Sequence, residues 1–337
     1  MDMQTLKKLG REKFGNACRV CRVCDGTACA GEIPGMGGVS TGQSFKNNIT
    51  ALAAVKLKQK VVHDAVDPDT SFELFGVKMQ VPIVAAPIGG IFYNCNDFMS
   101  EEDYAKSIVD GANMAGCLAM TGDGGIPGIY DSGIKAITAA GGRGIPTIKP
   151  RPNKDIIRQA ITGIEAGVPA IAVDVDSAAL INMTRMNQPV GPKTVDELRE
   201  LVVAIKSKLI IKGIMTVEDA ERCLSVGVKA IVVSNHGGRV LDHTPGTAEV
   251  LPAIARAVGG KMTILVDGGI RTGTDVLKML ALGADAVLVG RPLTQAAAGG
   301  AEGVAFVMEK MATEFKFAMV MTGVKNIAAI NCSIIHT

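Results

Sequence analysis

The chain has 337 residues, and its 35 lysines and arginines nearly balance its 33 aspartates and glutamates, for a formal net charge of +2. This balance, with only 4% aromatic residues and no tryptophan, argues against a protein that binds nucleic acid or a membrane surface. We recognise no leader segment and no apolar run of membrane-spanning length, so the chain is predicted to be cytoplasmic. Its eight cysteines are then expected to stay reduced.

A dense group of cysteines follows a polar N-terminal stretch of helical tendency (residues 1–15) and precedes a glycine-rich stretch (31–42). Closely spaced thiolates suit zinc or an iron–sulfur cluster. The spacing approaches that of bacterial ferredoxins, but its last gap is longer and no proline follows. The alternatives are a set of small buried apolar side chains or a single redox pair. The candidate metal ligands are Cys18, Cys21, Cys24 and Cys29.

From about residue 80, short apolar segments alternate with segments of helical periodicity. The eight apolar segments are 83–87, 117–122, 146–150, 170–175, 209–213, 230–235, 263–269 and 286–291. The helical segments between them include 101–115, 154–166, 195–207, 217–226, 248–258 and 274–282. Apolar strands that alternate with helices indicate a parallel sheet covered on both faces.

Eight such units predict an α/β fold, the closed (β/α)8 TIM barrel. The segments that begin at Gly167, Gly227 and Gly283 repeat one pattern, in which a glycine ends a helix before a buried strand. An open doubly wound sheet would instead require a Gly-x-Gly-x-x-Gly turn after its first strand, and residues 85–90 lack one. We therefore predict a barrel over residues 80–337, with residues 1–79 packed on it as a cysteine- and glycine-rich extension of one domain.

Polar residues follow most of the predicted strands. In a barrel of this kind the carboxyl ends of the strands meet at one mouth, where functional residues gather. Each residue also has a structural interpretation: Lys149 and Asp174 could neutralise each other, and Asp267 could cap a turn. The strand-end residues are Pro87, Thr121, Lys149, Asp174, Asp176, Lys212, His236, Arg239, Asp267, Arg271, Gly290 and Arg291.

The last strand ends predict a phosphate site, because residues 267–271 and 290–291 combine exposed backbone amides with two guanidinium groups. Lys212 could stabilise negative charge that develops on a bound ring system. His236 could act as a base whose tautomer is fixed by Asp176. Arg239 could bind a carboxylate through two parallel hydrogen bonds.

Four motifs together resemble the FMN-dependent α-hydroxy-acid oxidase/dehydrogenase family. They are Lys212-Gly-Ile214, Ser234-Asn-His-Gly-Gly-Arg-Val-Leu-Asp242, Asp267-Gly-Gly-Ile-Arg-Thr-Gly-Thr-Asp275 and Gly290-Arg-Pro292. The resemblance is specific over residues 205–330, including a closing helix expected at 315–330, and weaker over residues 30–200. It implies a TIM barrel, FMN as cofactor, oxidation of an L-2-hydroxy acid to a 2-oxo acid, and a homo-oligomer of four or more copies.

The resemblance also implies roles for single residues. His236 is the expected base, Asp176 orients it, Arg239 holds the substrate carboxylate, and Lys212 stabilises the reduced flavin. The expected cofactor-binding residues are Pro87, Ile88, Gly89, Thr121, Lys149, Lys212, Ser234, His236, Asp267, Gly268, Gly269, Arg271, Gly290 and Arg291.

The chain departs from the family pattern at several substrate-binding positions. The cysteine group stands where the family's N-terminal segment supplies a tyrosine, and Arg151 stands near the place of a second tyrosine. Lys149 replaces a glutamine that faces the flavin, and Asp174 replaces a threonine. Residues 177–180 replace the region of a further substrate arginine. Arg151 is therefore predicted to bind the substrate carboxylate or a larger anion.

Two other functions remain open from the sequence. One is an FMN barrel isomerase of the type 2 isopentenyl-diphosphate kind, for which Lys149 and Arg151 would suit a diphosphate. The other is a non-catalytic flavin or metal sensor. A cysteine-held metal cluster would favour an electron acceptor other than oxygen, and therefore a dehydrogenase over an oxidase. The sequence leaves open whether the electrons reach FMN as a hydride or through a carbanion.

Overall fold

Eight short apolar strands form a closed, fully parallel barrel in the computed structural model, which describes residues 1–336. Their residues are almost all buried, as expected for strands covered on both faces. All eight predicted strands are present, and the TIM barrel prediction is confirmed. The strands are β1 (Ile83–Ala85), β2 (Leu118–Thr121), β3 (Ile145–Ile148), β4 (Ala170–Asp174), β5 (Lys208–Ile214), β6 (Ala230–Val233), β7 (Thr263–Val266) and β8 (Ala286–Val289).

Helices surround the barrel, and the six predicted between strands are all present. The helices are α1 (Met3–Phe14), α2 (Gln43–Ala54), α3 (Glu101–Met114), α4 (Ile129–Ala139), α5 (Asn153–Glu165), α6 (Val195–Ala204), α7 (Val217–Ser225), α8 (Thr247–Val258), α9 (Gly273–Ala281) and α10 (Gly300–Thr322). Shorter helical segments are Ile91–Asn94, Ile181–Arg185 and Arg291–Ala296.

Two helical features differ from the sequence prediction. The closing helix predicted at 315–330 is wrong in its bounds, because α10 starts at Gly300 and ends at Thr322, where Gly323 takes the left-handed conformation with φ 73°. Helix α4 was not predicted. It follows Gly128, which makes no side-chain cap, so the usual start signal of a helix is absent from the sequence.

The N-terminal extension packs directly on the barrel. Leu6 and Phe14 of α1 are buried in the same apolar core as the barrel strands. Residues Lys56–Leu57 pair with Ile335–His336, which joins the extension to the last residues that the structure describes. A small hairpin, Phe72–Leu74 with Val77–Met79, precedes β1.

The glycine-rich part of the extension lies over the carboxyl ends of β6 and β7. The amide of Val39 donates to the carbonyl of Gly238 (2.9 Å). In α2, the Asn48 side chain donates to the Asn235 side chain (2.7 Å) and accepts from the amide of Thr247 (3.1 Å). The extension therefore forms one wall of the barrel mouth.

No helix within residues 1–336 combines the length and the apolar character needed to cross a lipid bilayer.

Asp242 joins the extension to the loop that follows β6. Its carboxylate accepts hydrogen bonds from the amide and hydroxyl of Thr41 and from the amides of Ser44 and His243. Burial alone would raise the pKa of Asp242, but these donors outweigh it and hold the pKa below its usual value. The ionised carboxylate therefore stabilises the fold above the unfolded-state pKa of about 3.9.

We expect Asp242→Asn to lower the free energy of unfolding by about 1–2 kcal/mol at pH 7, because hydrogen bonds to a charged acceptor weaken. The difference from wild type should shrink as the pH falls below about 4, because the unfolded wild-type chain then takes up a proton at Asp242 while the native carboxylate, with its lowered pKa, still resists protonation. Urea unfolding between pH 3 and pH 8 measures both effects. Glu221→Gln, an exposed change on α7, serves as the control. A difference that does not depend on pH would contradict this role of the carboxylate.

Candidate active site

A cavity opens at the carboxyl ends of the barrel strands, under the glycine-rich extension. Most of the residues predicted to bind the cofactor line it: Pro87, Ile88, Gly89, Lys149, Lys212, His236, Asp267, Gly268, Gly269, Arg271, Gly290 and Arg291, together with Arg239.

Two lysines and one aspartate form the centre of this site. Asp174 ends β4 and lies opposite Lys212 of β5 in the sheet register. Its carboxylate accepts from Lys212 Nζ (2.9 Å) and from Lys149 Nζ (2.7 Å). All three side chains are at least 92% buried, the most exposed being Lys149 at 8%. The mutual neutralisation of Lys149 and Asp174, considered from the sequence, is present in the structure.

The charges of these groups shift one another's pKa. Burial alone would raise the pKa of Asp174, but Lys149 and Lys212 outweigh it and hold that pKa well below its usual value. Burial alone would lower the pKa of Lys212, but Asp174, Asp176 and Asp267 raise it above its usual value. Asp174 and Lys212 therefore stay ionised across the physiological pH range.

His236 is held by Asp176, as predicted. Its Nδ1 lies 2.8 Å from Asp176 Oδ1, while its backbone amide donates to Ser234 Oγ (3.0 Å). The backbone of His236 has φ 57°, a conformation that is uncommon for a side chain other than glycine, asparagine or aspartate. Burial and the carboxylate of Asp174 raise the pKa of Asp176. A hydrogen bond from Nδ1–H to Asp176 leaves Nε2 free to accept a proton.

Gly213 allows Asp176 to reach His236. It lies at a register shift in β5, between Lys212 and Ile214, with φ 107°. A Cβ atom at Gly213 would stand 2.4 Å from the Cβ of Asp176 and 2.8 Å from its backbone nitrogen. No larger residue fits there without moving the carboxylate.

Two arginines of the mouth bind the extension. Arg239 Nη1 donates to the carbonyls of Gly35 (2.6 Å) and Gly37 (3.0 Å), and its Nη2 donates to the Asn94 side chain (2.9 Å). Arg291 donates from Nε to the carbonyl of Met36 (2.8 Å) and lies 3.8 Å over the Phe45 ring. Both arginines therefore have a structural role, and each keeps N–H groups that these bonds do not use.

Three predicted site residues lie elsewhere. Thr121 points away from the mouth, since its Oγ1 would meet a Cβ placed on Gly133 of α4 at 2.5 Å. Ser234 is fully buried behind the cavity, where it donates to Asp267 Oδ2 (2.9 Å). Arg151 does not line the cavity, because its guanidinium forms an ion pair with the buried carboxylate of Asp123. Arg151 therefore has a structural partner, and its binding to the substrate carboxylate stays a prediction.

A sequence model of the FMN-dependent dehydrogenase family matches residues 35–191 and 183–337 of the chain. The chain belongs to this family. The match begins after the cysteine group, so residues 1–34 lie outside the residues that this sequence model matches.

Relatives of known name agree with the family. L-lactate dehydrogenase of Caulobacter vibrioides is 30% identical, with 89% of this chain and 91% of that protein covered. 2-Hydroxyacid oxidase 2 of Bos taurus is 31% identical, with 86% and 88% covered. A crystal structure of mandelate oxidase superimposes with a TM-score of 0.79 at 29% identity over 97% of this chain and 95% of that one.

A further mandelate oxidase structure, described with a monooxide FMN adduct, has a TM-score of 0.74 at 32% identity over 91% of this chain and 97% of that one.

The cavity fits the FMN that this family requires. Within residues 1–336, the buried Asp267 Oδ1 and Arg271 Nε have no hydrogen-bond partner, so an acceptor for a hydroxyl group and a donor for a phosphate are left over. Burial and the neighbouring Arg239 and Arg271 lower the pKa of Arg291 to about 9. An anion such as the FMN phosphate would be stabilised by these guanidinium groups.

The glycines of the phosphate motif also serve packing. Gly268 and Gly269 have φ 99° and 83°, and their amides donate to no backbone carbonyl within the described residues. A Cβ on Gly269 would stand 2.7 Å from the carbonyl oxygen of Asn48 in α2. These two glycines therefore allow α2 to approach closely, and they leave their own backbone amides available to a ligand.

Sequence reasoning missed several residues of the site. Asp123 binds Arg151 and accepts the amide of Lys149 (2.9 Å). Tyr93 and Asn94, on the helical segment after β1, line the cavity. Gly35 and Met36 close it from the extension. Only proximity in the fold reveals these residues, since no motif in the sequence contains them.

The cysteines of the extension do not form a single-ion site. Within residues 1–336, no three of the four sulfur atoms lie within 4.8 Å of one another, whereas tetrahedral zinc thiolates lie about 3.8 Å apart. The zinc alternative is therefore not supported, and all eight cysteines are free thiols.

We expect substitutions of Lys149 and Asp174 to have non-additive effects on the free energy of unfolding. Lys149→Gln leaves a buried carboxylate with one partner fewer, and Asp174→Thr leaves two buried ammonium groups without their shared acceptor. Each should lower the free energy of unfolding by about 2–3 kcal/mol. The double variant should recover at least about 1 kcal/mol relative to the sum of the two. Urea unfolding of the FMN-free proteins measures this, and simple additivity would contradict a direct pair.

Gly213→Ala should displace Asp176 and lower turnover on the order of 100-fold, because small displacements of catalytic groups have effects of that size. The variant should still take up FMN, since the phosphate motif is unchanged. Gly191→Ala, where a Cβ would meet no atom within 4 Å, is the matched control. Equal turnover in both variants would show that the position of Asp176 is not set by Gly213.

Proposed function

We propose that the chain oxidises a small L-2-hydroxy acid to the 2-oxo acid, with FMN as the electron acceptor in the barrel mouth. The observation that carries this proposal is the His236–Asp176 pair, held beside Lys212 on the wall of a cavity that fits FMN. The relatives named as lactate dehydrogenase, 2-hydroxyacid oxidase and mandelate oxidase support the substrate class.

His236 is the base in this proposal. Its Nε2 takes a proton from the substrate while Nδ1–H stays bonded to Asp176. Within residues 1–336, the lysine and arginine partners of the carboxylates of Asp174, Asp176 and Asp267 are the ammonium groups of Lys149 and Lys212. A proton gained by His236 therefore brings this cluster closer to neutrality, which stabilises the imidazolium that the reaction forms.

FMN, when bound, takes up the two electrons that leave the hydroxyl-bearing carbon of the substrate. Lys212 is fixed by three carboxylates at the cavity wall. Its ammonium group would stabilise negative charge that develops on the bound ring, without having to reorient during the reaction.

Arg239 is the candidate for the substrate carboxylate. The bonds to the extension and to Asn94 use three of its five N–H donors. The remaining two can bind one carboxylate. Tyr93 and Asn182, which also line the cavity, are candidates for the polar donors that the sequence lacked at the family's tyrosine positions.

Support for the isomerase alternative is weaker once the contacts are considered. The two cations that suited a diphosphate, Lys149 and Arg151, are bound to Asp174 and Asp123. A sensor without turnover would have no use for the oriented His236–Asp176 pair. A homo-oligomer of four or more copies and a cytoplasmic location stay predictions; light scattering measures the first.

His236→Asn should abolish reduction of the flavin by substrate. Asparagine tolerates the left-handed backbone conformation at this position, so FMN content should match wild type. The measurement is anaerobic addition of L-lactate, glycolate or L-mandelate with the flavin absorbance followed over time. His243→Asn is the matched control, since His243 is exposed and also has a positive φ of 61°. Unchanged reduction in His236→Asn would remove His236 from the mechanism.

A further inference from the structure

We propose that Cys18, Cys21, Cys24 and Cys29 together hold an iron–sulfur cluster next to the FMN cavity. All four cysteines line one small cavity, together with Met36, Arg291 and Gln295. No helix or strand runs between Cys18 and Cys29. Their backbone forms an irregular loop, with φ 44° at Val20 and 85° at Gly26.

The spacing of the sulfur atoms favours a cluster over a single ion. Within the described chain, no three of these sulfurs approach within 4.8 Å, so one tetrahedral ion would not be reached by all of them. In a four-iron cluster each thiolate binds a different iron atom, and the ligands stand farther apart. A cavity ringed by four separated thiols matches this arrangement.

Polar groups of the barrel already face the thiols. Gln295 Nε2 donates to Cys18 Sγ (3.3 Å), and Arg271 Nη2 lies 3.5 Å from Cys24 Sγ. Arg271 also donates to the carbonyl of Cys24 (3.3 Å). Hydrogen bonds to ligand sulfurs and nearby positive charge stabilise a negatively charged cluster and set its potential.

Packing alone does not account for these four residues. Of the four, only Cys18 is buried, whereas Cys21, Cys24 and Cys29 are partly exposed. The buried cysteines of the barrel, Cys95, Cys117 and Cys223, stand singly in the apolar core. The four also precede residue 35, where the match to the family's sequence model begins.

The position of the cavity suggests what a cluster would do. Met36 and Arg291 line both the thiol cavity and the FMN cavity, so one layer of side chains separates the two. This part of the inference rests on the proposed function. Oxidation of the hydroxy acid releases two electrons and two protons. The electrons would leave FMN one at a time through the cluster to an external one-electron acceptor protein, and the protons would go to solvent.

The test begins with the cluster itself. The full-length chain is purified anaerobically, reconstituted with ferrous iron and sulfide, and assayed for iron, acid-labile sulfide and FMN. We expect about four iron and four sulfide atoms per chain and an electron paramagnetic resonance signal after reduction with dithionite. Cys21→Ser and Cys24→Ser should lose iron and the signal but keep FMN. Cys332→Ser, an exposed cysteine outside the group, should keep all three.

Equal iron in the Cys21, Cys24 and Cys332 variants, or wild type that takes up zinc but no iron and sulfide, would overturn the cluster. A second measurement replaces dithionite with a hydroxy acid that bleaches the flavin. A cluster signal supports the electron route, whereas a bleached flavin beside an oxidised cluster overturns it. If no hydroxy acid bleaches the flavin, the proposed function fails, and the dithionite result still decides the cluster.

Discussion

The buried ion pair between Asp174 and Lys212 is the interaction on which the site depends. The two residues face each other at the carboxyl ends of β4 and β5, and each would be costly to bury without the other. Lys149 adds a second positive charge on one side, and Asp176 with His236 extends the network on the other. The position of the His236 side chain is therefore fixed by a network of ion pairs that includes the Asp174–Lys212 pair of the barrel strands.

The N-terminal extension supplies hydrogen-bond acceptors for two arginines at the barrel mouth. Its carbonyls at Gly35, Met36 and Gly37 accept hydrogen bonds from Arg239 and Arg291, which would otherwise stand as unpaired charges at the mouth. The same arginines face the predicted substrate and phosphate positions. The same guanidinium groups therefore serve both ligand binding and docking of the extension. The cysteine loop also contacts this part of the site, at Arg271 and Arg291.

Much of the fold was predictable because the apolar and polar pattern of each segment matches its place in the barrel. Strands of a parallel barrel are short, apolar and followed by polar residues, so their order and their ends could be read directly. His236, Asp176 and Lys212 were predictable for the same reason. Helix α4 was not, because Gly128 carries no cap signal, and the bounds of α10 were misjudged because apolar residues continue past Gly323.

The predicted site residues that lie away from the cavity share a physical reason. Whether Arg151 is free for a ligand depends on Asp123, 28 residues away, and their pairing follows only from the positions of β2 and β3. Thr121 was assigned to the mouth, but the alternation of side chains along β2 turns it toward α4. By contrast, Lys149 and Asp174 both depart from the family pattern, and their compensation could be anticipated because the two changes have opposite charge.

We infer that the polar strand ends and the extension together form an FMN site. The most direct test of this site is a titration of FMN-free protein into FMN, followed by the quenching of flavin fluorescence at equilibrium. We predict saturable binding of one FMN per chain, weakened strongly in Arg271→Met because the phosphate loses a guanidinium partner. Absence of saturable binding by the folded wild-type protein would contradict the account.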